Sequence, residues 1–169
     1  ATLNAMIEAI NWLIEEHANV INMSLAGPDN AILKAVINAA LEKGVFIVAA
    51  AGNEGPAAPV VFPAGYENVI AVSAIDQNQQ PYRWSNQGSH IDYAALGVNV
   101  LTAQSQDRTG RESGTSMAAP VVSAALACTV ASIPELSRSQ ILSALAAKAI
   151  DLGPIGKDPI FGLGAIQPH

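Results

Sequence analysis

Seven apolar residues run without interruption from Val45 to Ala51 and stop at Gly52-Asn53-Glu54-Gly55. A strand with one wet face alternates apolar and polar residues. A short unbroken run belongs instead to a strand buried on both faces, as in a parallel sheet covered by helices. Val69-Ile70-Ala71-Val72-Ser73-Ala74 repeats the pattern, and shorter strands are expected at Val20-Ile21-Asn22-Met23-Ser24 and Ile91-Asp92-Tyr93-Ala94. Helical periodicity lies between them. Leu3, Met6, Ile7, Ile10, Leu13 and Ile14 recur at spacings of three and four, which predicts an amphipathic helix over residues 3–18. A second helix starts from an Asp29 or Asn30 cap and runs through Lys43, with Gly44 as its stop. A helix of small residues is expected from Thr115 to Ser132, and a last one follows the capping-box pattern Ser137-Arg138-Ser139-Gln140. Residues 52–68 and 97–114 read as loop, the latter with one short strand at Val98–Thr102. This alternation predicts an α/β fold of three layers, a mostly parallel sheet flanked by helices. Ligands of such sheets bind beyond the carboxyl ends of the strands, which makes Ser24-Leu25-Ala26 and Gly52-Asn53-Glu54 candidate site segments.

Composition removes several classes of function. Half of the 169 residues are hydrophobic and only 13% are charged, so the chain can bury a core and is not disordered. A net charge of −6 argues against a nucleic-acid partner, which needs clustered Lys and Arg. No apolar run reaches the ~18 residues of a membrane-spanning helix, so no membrane partner is expected. The single cysteine, Cys128, excludes an internal disulfide and a cysteine-rich zinc site. Set in Ala124-Ala125-Leu126-Ala127-Cys128, it reads as a small buried apolar residue.

The segment that carries chemistry is Ser113-Gly114-Thr115-Ser116-Met117-Ala118-Ala119-Pro120. Ser116 alone would be an ordinary helix cap. Its neighbours change that reading. Gly114 leaves room for a ligand backbone, the start of the helix offers free N–H groups to developing negative charge, and Pro120 sits where losing an N–H is tolerable.

This segment closely resembles the active-site serine motif of the subtilisin-like serine proteases, Gly-Thr-Ser-Met-Ala-x-Pro. Val20-Ile21-Asn22-Met23-Ser24-Leu25-Ala26-Gly27-Pro28 resembles that family's substrate-binding strand. Val48-Ala49-Ala50-Ala51-Gly52-Asn53-Glu54-Gly55 resembles the segment holding its oxyanion asparagine. Phe62-Pro63-Ala64 with Val69-Ile70-Ala71-Val72, Trp84-Ser85-Asn86-Gln87-Gly88, Asp92-Tyr93-Ala94-Ala95 and Phe161-Gly162-Leu163-Gly164 follow in family order. The resemblance implies that Ser116 is the nucleophile. It implies that Asn53 and the Ser116 backbone N–H hold the tetrahedral oxyanion, where preorganised donors meet charge as it develops. It further implies that Ser24, Leu25 and Ala26 take a polypeptide substrate as an added strand. Ala51, Gly52 and Val61 would line the pocket for the side chain preceding the scissile bond. The family usually carries Gly where Ala26 stands, and often Gly near Val61, so the added bulk implies a narrower pocket for small or medium apolar side chains. Ala64, Tyr66 and Val69 match carbonyl positions of a weak cation site, suited to Ca²⁺ or Na⁺ in a structural role. No cofactor is required for the chemistry, and secretion is implied.

A serine hydroxyl is a weak nucleophile without a base and a group to orient that base. In subtilisin the triad runs Asp, His, Ser along the chain. Only Ala1–Asn19 precede the substrate-binding strand, and they hold neither an Asp-Thr/Ser-Gly nor a His-Gly-Thr motif. His17 reads as part of the solvated face of the first helix, His90 as a loop residue and His169 as the last residue; none has the family's context for the base. The sedolisins share a Gly-Thr-Ser motif but usually carry Asp at the oxyanion position, so Asn53 favours the subtilisins. The expectation is that residues 1–169 form the C-terminal portion of one catalytic domain, incomplete at its N-terminal side and inactive alone. The missing N-terminal portion, with the Asp and His, is then its partner, and an exposed sheet edge invites homo-oligomers. A non-catalytic relative retained for binding or assembly is the competing reading, which intact Ser116 and Asn53 disfavour. A nucleotide-binding domain is disfavoured by the lack of a Walker loop or of Gly-x-Gly-x-x-Gly after a strand.

Overall fold

The computed structural model describes residues 2–167. In chain order the elements are α1 (Leu3–Glu15), β1 (Val20–Met23), α2 (Ala31–Glu42), β2 (Phe46–Ala50), β3 (Ile70–Ile75), β4 (Ile91–Leu96), β5 (Val100–Gln104), β6 (Arg108–Glu112), α3 (Thr115–Ser132), α4 (Arg138–Ala146) and β7 (Ala165–Ile166). Five strands form one parallel sheet in the order β1-β2-β3-β4-β7, and β5 and β6 form a separate antiparallel pair. The α/β class and the three layers are as expected. Every residue of β2 and β3 is buried. Alternate side chains of these strands serve two cores. Val48, Ala50 and Val72 pack with α3 and α4 through Ala118, Val122, Leu126 and Leu145. Ile47, Ala49 and Ala71 pack with α1 and α2 through Ile10, Leu33 and Ile37. That two-sided burial is why the sequence runs show no alternation.

The helix ends follow local chemistry. The Asn30 carboxamide oxygen accepts from the N–H groups of Ile32 and Leu33, both at 3.0 Å, so Asn30 rather than Asp29 caps α2. The Ser137–Gln140 capping box is present on α4. α1 stops at Glu15 rather than 18, because His17 turns to φ 59° and the Ala18 N–H donates back to the Leu13 carbonyl. The segment 97–114 is a correction: it is a two-stranded hairpin, not loop with one strand. Positive φ at Gln106 and Asp107 reverses the chain, and the polar residues of β6 gave no strand signal because the ladder uses backbone groups. Cys128 is a second correction. It is exposed, on the face of α3 turned away from the sheet. His169 lies outside the described residues.

α3 is unusual in its surface. Its sequence is apolar on all sides, as suits a helix wrapped by other elements, yet beyond the sides that meet the sheet and α4 its Ala124, Ala127 and Cys128 are exposed among the described residues.

Candidate active site

The carboxyl ends of β1 and β2 and the amino end of α3 converge, and the residues singled out at those three places meet there. Ser24 follows β1, Asn53 follows β2, and Ser116 occupies the first turn of α3. Two hydrogen bonds tie the first to the last. The Ser24 hydroxyl donates to the Ser116 carbonyl at 2.9 Å, and the Ser116 hydroxyl donates to the Ser24 carbonyl at 3.3 Å. Pro120 explains why the Ser116 carbonyl is available. In a helix that carbonyl would receive the N–H four residues on, and proline has none. The proline inside α3 thus frees an acceptor that anchors the segment after β1 to the helix.

Asn53 is exposed, but its orientation is set from behind. Its side-chain oxygen accepts from the Thr115 N–H at 2.9 Å and from the Thr115 hydroxyl at 3.2 Å. The carboxamide nitrogen is thereby left as an outward donor. The Ser116 N–H makes no hydrogen bond to the described residues, so two donors remain unused where Asn53 meets the positive end of an 18-residue helix. Thr115, fully buried, also receives the Gly52 N–H on its hydroxyl at 3.1 Å. Gly52 has φ 106°, and a Cβ there would lie 2.6 Å from a Glu54 carboxylate oxygen and 2.7 Å from the Asn86 amide nitrogen. Only glycine fits. Asn86 is fully buried and accepts from the Glu54 N–H at 2.9 Å, bracing the loop that carries Asn53.

The candidate substrate segments lie around this centre. Gly27 and Phe62 exchange both backbone hydrogen bonds at 2.9 Å, which brings the segment of Val61 beside that of Ala26. Ala51 and Gly52 are buried, whereas Ser24, Leu25 and Val61 are partly exposed and Ala26 is exposed. Gly114 is buried against the Asn53 carboxamide, 3.3 Å from where a Cβ would stand. Trp84 is exposed next to Gly55, whose N–H donates to the Trp84 carbonyl, and Arg83 stacks over its indole. Thr115 and Asn86 are the supporting residues that sequence reasoning did not single out. Both lay inside quoted motifs, but their roles depend on contacts 32 to 63 residues away along the chain.

No imidazole contacts Ser116 among the described residues. His17 is exposed after α1. His90 belongs to the opposite end of the sheet, just before β4, where burial lowers its pKa and the Asp92 carboxylate partly opposes that shift. The carbonyl positions Ala64, Tyr66 and Val69 also lead to that end. The Tyr66 hydroxyl donates to the Asp29 carboxylate and accepts from the Asn30 N–H, and burial is the main cause of its raised pKa. Its side chain therefore pins the start of α2. No cluster of three or more His, Cys, Asp or Glu residues fit to hold a metal occurs among the described residues.

Comparison with known proteins places the chain in a family and a fold. Residues 1–164 match the model of the Subtilase family. The chain is 35% identical over 166 residues to the minor extracellular protease Epr of Bacillus subtilis, covering 98% of this chain and 26% of that protein. It is 36% identical to subtilisin DY of Bacillus licheniformis over 90% of this chain and 57% of the relative. It is 40% identical to the major intracellular serine protease of Bacillus subtilis over 72% of this chain and 40% of the relative. The chain thus spans less than two thirds of each of these relatives. Among solved structures, the prenylagaramide maturation protease PagA superposes with a TM-score of 0.82 at 27% identity, covering 95% of this chain and 63% of the other. A lanthipeptide protease superposes at 0.86 with 24% identity and supports the fold.

Proposed function

The chain belongs to the Subtilase family, and from that premise we propose that Ser116 and Asn53 form the nucleophile and oxyanion half of a serine endopeptidase centre. A His–Asp pair from outside residues 2–167 completes it. The observation that carries the reading is the hold of Thr115, the neighbour of Ser116, on the Asn53 side-chain oxygen, with the Asn53 carboxamide nitrogen and the Ser116 N–H both unbonded among the described residues. A peptide carbonyl whose carbon lies over Ser116 Oγ would place its developing oxyanion between those donors. The backbone of Ser24, Leu25 and Ala26 takes the substrate as an added strand, and Ala26 and Val61 narrow the pocket for the preceding side chain.

Residues 1–169 on this reading are the later portion of a single catalytic domain, and the exposed face of α3 and the free edge of β1 are covered by the rest of it. The same two surfaces associate between copies when that portion is absent. No cation is needed for the chemistry; the carbonyls of Ala64, Tyr66 and Val69 are the positions that would take a structural cation. Secretion is supported by the extracellular relative, and cell fractionation tests it.

Two constructions test the function. The 169-residue chain alone is expected to leave peptide substrates uncleaved. Joined to a segment supplying the His–Asp pair, it cleaves them with a preference for small or medium apolar residues before the scissile bond. Ser116→Ala then abolishes turnover, and Asn53→Leu lowers kcat by about 10²–10³, the magnitude measured for the equivalent donor of subtilisin. Turnover by the lone chain that disappears in Ser116→Ala would overturn the incomplete-centre reading. A preference for large aromatic or charged residues would overturn the narrow pocket.

A further inference from the structure

At the end of the sheet opposite Ser116, a cavity of about 600 Å³ lies between the amino ends of β3 and β4, the loop after Pro63, and α4. Its size falls within the range of small-molecule sites, ~300–1,000 Å³. The charges around it point away from a metal ion. Asp92 accepts from the Ala71 N–H with one oxygen and from the Lys157 ammonium at 2.8 Å with the other, so its charge is neutralised within the chain. Among the described residues Arg138 has no carboxylate partner. Its guanidinium lies 4.3 Å from the centre of the Phe46 ring and donates only to the carbonyls of Val45 and Asn68, leaving further N–H groups unused. Burial lowers its pKa, the mark of a cation short of a counter-charge. Glu67, the remaining acid on the wall, is exposed. Tyr93 is 3% exposed, and its hydroxyl makes no hydrogen bond among the described residues. Ile70, Leu142 and Ala146 supply apolar wall.

We propose that this cavity binds an amphipathic monocarboxylate, its carboxylate held by the Arg138 guanidinium and the Tyr93 hydroxyl and its apolar body against Ile70, Leu142 and Ala146. A half-buried guanidinium with N–H groups to spare, and a neutral donor lining the same cavity, match a carboxylate by charge and by hydrogen bonding. The apolar wall adds affinity only to a ligand that carries hydrocarbon. The site stands apart from the peptidase centre and does not depend on the proposed chemistry there.

The test is titration of the purified full-length protein, followed by calorimetry, with octanoate and with an N-acetylated dipeptide ending in leucine. Octanol and the peptide amide serve as uncharged counterparts. The carboxylates are expected to bind saturably and at least about tenfold more tightly than their counterparts, the loss of one charge-assisted hydrogen bond. The tighter of the two carboxylates identifies a free acid or a peptide terminus as the source. Arg138→Gln and Tyr93→Phe each weaken binding by about tenfold, and the second, a near-isosteric change, answers the question if the first fails to fold. Equal binding of charged and uncharged probes, no binding of either carboxylate, wild-type affinity in Tyr93→Phe, or competition by Ca²⁺ alone would overturn the proposal.

Discussion

Thr115 is the residue on which the proposed oxyanion site turns, although it would touch no substrate. Its hydroxyl lies 3.2 Å from the Asn53 side-chain oxygen and receives the Gly52 N–H, so one buried group orients a donor and holds the adjacent turn. Thr115→Val keeps the shape and removes the hydroxyl. In the completed enzyme we expect kcat to fall about tenfold with KM little changed, because the lost order matters most when charge develops on the substrate oxygen. Thr115→Ser restores the hydroxyl and most of the rate. Steady-state kinetics on the three proteins checks this; an equal rise in KM with kcat unchanged would assign Thr115 to ground-state binding instead. Ser116 and Asn53 were legible in the sequence as parts of short motifs. Thr115 and Asn86 were not, because nothing in a linear string says that a threonine next to the serine meets an asparagine 62 residues earlier.

At the scale of elements, the final turn before β7 shows how closely backbone segments are pressed together. Gly162 has φ 63°, and a Cβ there would come within 2.6 Å of three backbone atoms of Asp92 and Tyr93 in β4. Asp158 and Gly162 also exchange backbone hydrogen bonds at 3.0 Å, and the Leu163 N–H donates to the Asp92 carbonyl at 2.7 Å. Gly162→Ala should cost about 3 kcal/mol or more, since backbone cannot yield as a flexible side chain can. Chemical denaturation measures it, and a loss below about 1 kcal/mol would mean that the turn shifts freely. The strong elements were legible in the sequence: the amphipathic and capped helices and the apolar runs of β2 and β3 each carry their own signal. β6 and β7 were not. β6 is polar and β7 only two residues long, so both exist through partners rather than through a pattern of their own.

For the whole molecule, an uncovered strand edge and an uncovered apolar face are the main physical facts. Among the described residues β1 has a neighbour on one side only, and the outer side of α3 opens on a groove of about 550 Å³ whose walls include Val100, Pro120, Val121, Ala124 and Cys128. An edge strand and a contiguous apolar patch both favour association. The isolated chain is expected to self-associate with rising concentration in light scattering, and Ala124→Glu with Cys128→Glu should reduce that association. A monomer at every concentration, with native circular dichroism, would mean that these surfaces are tolerated in water. By itself the sequence determined the layered α/β architecture, the capping box of the last helix and the family motifs, because periodicity, capping and short contiguous signatures are written locally. Only the tertiary structure decided that Thr115 orients Asn53, that Pro120 releases the Ser116 carbonyl to Ser24, and that Arg138 lines a cavity without a counter-charge. Those facts depend on which distant segments meet, and that is set by the packing of the two cores on either side of the sheet.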